Sequence, residues 1–238
     1  MITNPIQTQR ALLTWQTPLG TGGERRRHAV GELVADNGGA RFRYLSDTAS
    51  FRAAMEDGFE GYPGIALASE PSEDTLAIFL RRLPNTDRPD YDQFLQTFGL
   101  SPDAGWSGLS LLAYTGARLA GDSFSITETF DGFDRPFRYI FDVAGFRRFM
   151  SAATDLQTGD NVSLVHQPDN AHDQNAVQVL RDTGECLGYI NRLQSERLLH
   201  WQRAGSVNAQ VFRFNGRPTY PRLFLIASVN PGKLAKAA

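Results

Sequence analysis

The sequence predicts an α+β protein in two parts. An N-terminal α+β domain takes residues 1–133, and a small β-barrel-like domain with one main helix takes residues 134–238. Three observations predict this. Short apolar runs separated by Gly, Asn, Asp and Pro recur through both parts, as strands joined by tight turns do. Helical periodicity clusters in the middle of the first part and in a single segment of the second. Between them, Glu128-Thr-Phe-Asp-Gly-Phe-Asp-Arg-Pro-Phe137 carries Gly132 and Pro136 and no apolar period, which marks a boundary. A chain of 238 residues is long enough for two cores.

In the first part, residues 11–15 and 28–34 read as strands. Asp36-Asn-Gly-Gly39 reads as a hairpin turn into a third strand at 41–45, because Asn-Gly accepts the positive φ that a two-residue turn needs. Helices are expected over 48–55, over 71–82 (opened by Pro71-Ser-Glu-Asp74) and over 90–98. In the last, Tyr91, Phe94, Leu95 and Phe98 fall at i, i+3, i+4 and i+7. Residues 109–113 are a fourth apolar stretch.

In the second part, Val162 and Leu164 alternate with polar neighbours. Residues 176–180 form a strand that Asp182-Thr-Gly184 turns into 186–190. A helix spans 193–203, with Asn191 placed to cap it, Leu198 and Trp201 on one face, and Gly205 to stop it. Two more strands are expected at 207–214 and 223–229. The latter is apolar on both faces, the mark of a central strand.

Composition excludes several function classes. Cys186 is the sole cysteine, so no internal disulfide and no cysteine zinc site can form. The lysines are Lys233 and Lys236 alone, which removes a P-loop lysine, a kinase strand lysine and a Schiff-base lysine from the folded body. No apolar run reaches the length of a membrane span, and the start of the chain does not read as a secretory signal; the near-absence of cysteine suits a reducing compartment, and a cytoplasmic protein is expected. No cofactor and no metal is expected, and the chain reads as a binding protein rather than an enzyme. Charge is uneven. Residues 1–133 carry 11 arginines against 17 acidic residues, while 134–238 carry 13 basic residues against 9 acidic ones. A basic half beside an acidic one suits a polyanionic partner, although a net +4 over a hundred residues is also ordinary.

The most informative segment runs from Pro168 through Asp-Asn-Ala-His-Asp-Gln-Asn-Ala to Val177, a polar loop between two strands. Read by residue type alone, Asp173 and Asn175 cap the loop's own backbone, as Asx residues commonly do. His166, Asp169, His172 and Asp173 invite a metal or proton-transfer reading, but no ligand spacing is recognisable, and a solvated loop explains them. Arg147 and Arg148 can neutralise phosphates, and Arg192 stands at a helix entry where backbone N–H groups also favour anions. Phe212-Arg-Phe-Asn-Gly-Arg-Pro-Thr-Tyr-Pro-Arg222, which includes Tyr220, interleaves arginines with aromatics as single-strand binders do. Tyr189, Trp201 and Cys186 read as core residues, and Arg25-Arg-Arg27 as a solvated loop.

This combination resembles the HIRAN domain family, whose pattern is "P-N-x-x-D-x-N-A-I/V" between strands, followed by "G-Y-I/V" before a helix. Here Pro168–Val177 is followed by Gly188-Tyr189-Ile190, and Val143-Ala-Gly-Phe-Arg-Arg-Phe149 is similar to the family's "G-x-R-Y-Y". The resemblance covers about residues 136–230. It implies a β-rich domain that captures the 3′ end of single-stranded DNA, with the terminal base between two aromatic rings and a loop aspartate accepting from the 3′-hydroxyl. By position the aspartate is Asp173, and the rings fall at Arg148 and His172, where the family has tyrosines. Phe149 matches the second aromatic of its segment. Guanidinium and imidazole planes also stack on bases.

The first part resembles, more loosely, the small N-terminal subdomain of HipA-type toxin kinases. Val30-Gly-Glu-Leu33, Phe42-Arg-Tyr44, Leu83-Pro84 with Arg88, and Leu111-Leu-Ala-Tyr-Thr-Gly116 follow that family's motif order. That implies a protein-docking module; an unrelated α+β fold accounts for the same residues. The expectation is therefore a bacterial-type accessory protein of repair or defence, gripping single-stranded DNA or a 3′ end. The expected site is Arg147, Arg148, Phe149, His172, Asp173, Arg192 and Tyr220. The alternatives are a protein–protein regulator in a toxin–antitoxin or phage-defence system, and a nucleic-acid hydrolase using His172 and Asp173.

Overall fold

The structure, a computed structural model, describes residues 1–18, 25–68, 75–214 and 221–232. The chain divides into two compact units. One comprises Met1 and Ile6–Gly132, the other Ile2–Pro5 and Phe133–Ala238. The sequence-based boundary groups all of residues 1–133 together, whereas Ile2–Pro5 pack with the second unit.

The first unit is built on four antiparallel strands, β1 (Arg10–Gln16), β2 (Arg27–Asp36), β3 (Gly39–Tyr44) and β4 (Phe124–Glu128), in the order β3-β2-β1-β4. The β2–β3 turn follows from its residues. Asn37 and Gly38 have φ of 40° and 89°, the two positive angles of a type I′ hairpin, and Asp36 pairs with Gly39 across it. Helices α1 (Ala49–Glu56), α2 (Leu76–Leu80), α3 (Tyr91–Thr97) and α4 (Gly108–Thr115) come between β3 and β4. Thr48 caps α1 by accepting from Phe51 N, and Ser107 caps α4 by accepting from Ser110 N. The opening of the expected helix over 71–82 lies outside the described residues; what is described is α2. Leu13, Val30, Leu33, Phe42, Phe59, Phe79, Leu112 and Ile126 form the core. The sequence reading has no strand at β4, because all five of its residues are buried and the strand shows no period of two.

The second unit has β5 (Phe137–Asp142), β6 (Asn161–His166), β7 (Val177–Arg181), β8 (Cys186–Tyr189), β9 (Ser206–Phe214) and β10 (Leu223–Asn230), in the order β5-β10-β9-β6-β7-β8. The apolar β10 is central, between β5 and β9. Just beyond β5, Ala144 and Tyr189 exchange two backbone hydrogen bonds, of 2.7 and 2.9 Å. That bridge brings the last strand back to the first and curls the sheet into a barrel-like shape, as the sequence predicts. The bridge explains Gly188, whose φ is +132°. A Cβ there would stand 2.6 Å from Ala144 O and 2.7 Å from a Val143 methyl. The one long helix of this unit, α5 (Arg192–Ala204), buries Leu198, Leu199 and Trp201, and Trp201 meets Phe137 edge-on at 5.1 Å. Asn191 caps it through Leu193 N. The sequence reading also lacks β5 and the 3-10 segment Phe146–Ala153.

Candidate strand-end site on the barrel

The polar loop after β6 is stitched by its own side chains. Asn170 Oδ1 accepts from His172 N at 3.0 Å and from Asp173 N at 3.2 Å. Asp173 Oδ1 accepts from Asn175 N at 2.9 Å. Gln167 N donates to Ala176 O, and Ala176 N donates to Asp173 O. His166 Nε2 donates to the Gln174 carbonyl at 2.8 Å, which commits that histidine to the base of the loop. The capping that residue type alone suggests is therefore present. It uses one oxygen of Asp173; among the described residues Oδ2 takes no hydrogen bond. Asp173 is half-buried and His172 is exposed, so the loop's outer surface faces solvent.

Register decides what lies beside the loop. β7 restarts the chain at Val177, whose carbonyl accepts from Ile190 N at 2.9 Å, and Gln178 pairs with Tyr189. The end of β8 and the entry of α5 therefore flank the loop's exit. Arg192 is the first residue of α5, exposed, at a helix N-terminus whose first turn holds no acidic residue.

The Ala144–Tyr189 bridge brings in the third component. It lays the 3-10 segment Phe146–Ala153 along β8, and Arg181 fastens the segment's far end by donating to Ala152 O at 2.8 Å and Asp155 Oδ1 at 2.7 Å. Phe146 is buried, Arg147 and Arg148 are exposed, and half-buried Phe149 meets Tyr189 edge-on with centroids 6.1 Å apart. Among the described residues, neither Arg147 nor Arg192 pairs with an acid.

Of the seven residues expected from sequence, six are described: Arg147, Arg148 and Phe149 on one segment, His172 and Asp173 on the loop, and Arg192 at the helix entry. The β7–β8 register and the barrel bridge carry all three elements to the same end of β8. Tyr220 lies outside the described residues. One reading is corrected. Tyr189 is not a core residue; it is half-buried, with its hydroxyl 3.5 Å from Gln178 Nε2 and its ring against Phe149. A period of two places Tyr189 on the same face as buried Leu187, which is why it reads as core; the register shift at Leu187 and Gly188 breaks that alternation. Cys186, also read as core, is half-buried. Among the described residues no group of His, Cys, Asp and Glu is arranged to hold a metal ion, and no helix is long and apolar enough to cross a membrane.

Residues 136–223 match the HIRAN domain family. No curated protein matches the chain. Among solved structures, the HIRAN domain of human HLTF is 19% identical, with a TM-score of 0.32, over 41% of this chain and 77% of that one. A protein from Lactobacillus plantarum is 22% identical, with a TM-score of 0.32, over 40% of this chain and 98% of that one. The family match begins one residue before β5 and ends at the first residue of β10, so it takes in β5 through β9, the polar loop and α5. Residues 136–223 of this chain are a HIRAN domain.

Proposed function

We propose that this domain binds single-stranded DNA and grips a strand end through the loop at residues 168–175, within a protein that binds rather than catalyses. One observation carries the reading: exposed Arg147, Arg148 and Arg192 share one end of the barrel with an Asx-stitched loop that keeps Asp173 Oδ2 available. A terminal phosphodiester beside Arg147 and Arg192 is neutralised, and a 3′-hydroxyl donates to Asp173 Oδ2. The terminal base packs on the planes of Arg148 and His172, with Phe149 and Tyr189 as the aromatic ground beside them. The acidic first unit, net −6 over residues 1–133, is in this reading the part that recruits a protein partner, and co-purification from native cells tests that.

The test is a binding panel of single-stranded, duplex and overhang DNA with free or blocked 3′ ends. Tight binding of a free 3′ end, weakened by a 3′-phosphate, by Asp173→Ala and by Arg148→Ala, is the expected result. Equal affinity for free and blocked ends removes end recognition. Affinity unchanged by either substitution removes the site assignment.

A further inference from the structure

The second unit carries an open pocket of about 390 Å³ where β5 begins, β9 begins and β10 ends. Register sets what faces it. Ser228 on β10 pairs with Arg138 on β5 and with Asn208 on β9, so these three stand in one row across the sheet. Two residues further along, Asn230 pairs with Ser206 and points to the same side. All five are exposed. The segment Ile2–Pro5 packs with this unit; buried Ile2 anchors it, and exposed Thr3 and Asn4 complete the lining. The strand-end site lies past the other end of β5. A strand of six residues spans about 20 Å, so the two sites are separate.

The lining holds one arginine and no Asp, Glu or Lys. A divalent cation finds no carboxylate there, and an amino acid or peptide finds no acid for its ammonium. What the lining offers is hydroxyls and amides. Among the described residues, the side chains of Thr3, Asn4, Ser206, Asn208 and Ser228 make no hydrogen bond. Asn230 Oδ1 accepts from Gly232 N at 3.3 Å, and its amide nitrogen is left over. Each of these groups both donates and accepts, as the hydroxyls of a sugar do. Arg138 has other interactions, so what it contributes here is positive charge. From Arg138 to Asn208 is two strand spacings, about 10 Å, which puts an anion at one end and hydroxyls at the other. Gly205 lies so close to the Asn230 carbonyl that no Cβ fits between them, which fixes the end of the pocket before a ligand arrives. The volume is that of a small-molecule site.

We propose that this pocket binds a phosphorylated sugar, with the phosphate beside Arg138 and the sugar hydroxyls on Ser228, Asn208, Ser206 and Asn230. A free sugar phosphate presents that chemistry, and so does one nucleoside of a nucleic-acid chain. The site does not depend on the strand-end reading above.

The experiment titrates the isotope-labelled full chain with ribose 5-phosphate, ribose and inorganic phosphate, and follows each backbone amide by NMR. Ribose 5-phosphate should shift the amides of Ser206, Asn208, Ser228 and Asn230, and should bind roughly tenfold more tightly than ribose or phosphate alone. Asn208→Ala and Ser228→Ala should each weaken it roughly fivefold. Arg138→Gln should remove the preference over ribose. Thermal unfolding identifies a variant that fails to fold; should Arg138→Gln be one, the two exposed Ala variants decide. No shift, shifts at other residues, or affinity unchanged by both Ala variants overturns the site. Ribose binding as tightly as its phosphate overturns the ligand class. An oligothymidylate added in excess separates the sources. Ribose 5-phosphate that stays bound supports a free ligand. Its displacement, with oligothymidylate binding weakened by Asn208→Ala, supports a nucleoside of the chain. Displacement without that weakening means both ligands use the strand-end site, and overturns the pocket.

Discussion

The two units use arginine differently. In the first, Arg10 pairs with Asp131 at 2.6 Å and Glu32 at 3.3 Å, Arg41 with Asp36 at 2.7 Å, Arg43 with Glu32 at 2.6 Å, and Arg82 with Asp122 at 2.6 Å. In the second, Arg181 and Arg222 are tied to acids, while Arg147 and Arg192 are exposed and, among the described residues, pair with no acid. The charge balance explains the contrast. Where acidic residues outnumber arginines, several guanidiniums find a carboxylate within the unit and become part of the framework. Where arginines are in excess, some remain for an outside anion.

Removing the first unit's buried arginine, Arg82, should have the largest effect. Arg82 donates to both oxygens of Asp122, to the carbonyls of Ala117 and Phe124, and to Tyr62 Oη. Arg82→Ala strands these acceptors and should lower the unfolding free energy by about 3–5 kcal/mol in a denaturant titration. A loss under about 1 kcal/mol would mean the pair is incidental.

Glu128 on β4 is fully buried, and burial pushes its pKa up to about 7. Thr8 Oγ1 and Phe130 N donate to it and pull in the other direction. A raised carboxyl pKa means the folded state binds the extra proton. The associated stability is present below the ordinary glutamate value and is lost as pH rises through about 7. The full swing is about 3 kcal/mol. Unfolding titrations at a series of pH values should show that decline, and Glu128→Gln should flatten it.

A smaller effect is expected at the barrel bridge. Gly188→Ala meets Ala144 O and forces a positive φ on an L residue, a cost of about 1–3 kcal/mol. It should also weaken DNA binding, because the bridge aligns residues 146–149 with the loop. Full stability with full affinity would separate the site from barrel closure.

Arg147→Ala and Arg192→Ala should barely alter stability, by less than about 0.5 kcal/mol. Each should reduce the salt slope of single-strand binding by about 0.7. A stability loss as large as that of Arg82→Ala would erase the contrast between the two kinds of arginine.

Much of this was legible before the structure, though unevenly. The Asn37-Gly38 hairpin, the Thr48 to Phe51 neighbourhood of α1, the Asn191 cap and the central β10 all depend on a few adjacent residues or on plain apolar patterning. β4 and β5 were not readable as strands. β4 is buried on both faces, and β5, with one exposed residue among five others, follows a Pro136 that reads as a breaker. Tyr189 was misassigned because a glycine at an irregular point of β8 disturbs the alternation.

The sequence by itself determined the local devices: the turns, the caps, the Asx-stitched loop from Gln167 to Ala176, and the excess of arginine in the second half. Each is settled by hydrogen bonds and φ preferences within a few residues. Only the tertiary structure decided which devices meet. The Ala144–Tyr189 bridge joins positions far apart in the chain and sets Phe149 on Tyr189. The β9–β10 register, shifted by a bulge between Phe224 and Leu225, puts Arg213 over Phe224 beside Arg222. Strand order, register and barrel closure are global solutions to burying the apolar faces, so no local pattern encodes them.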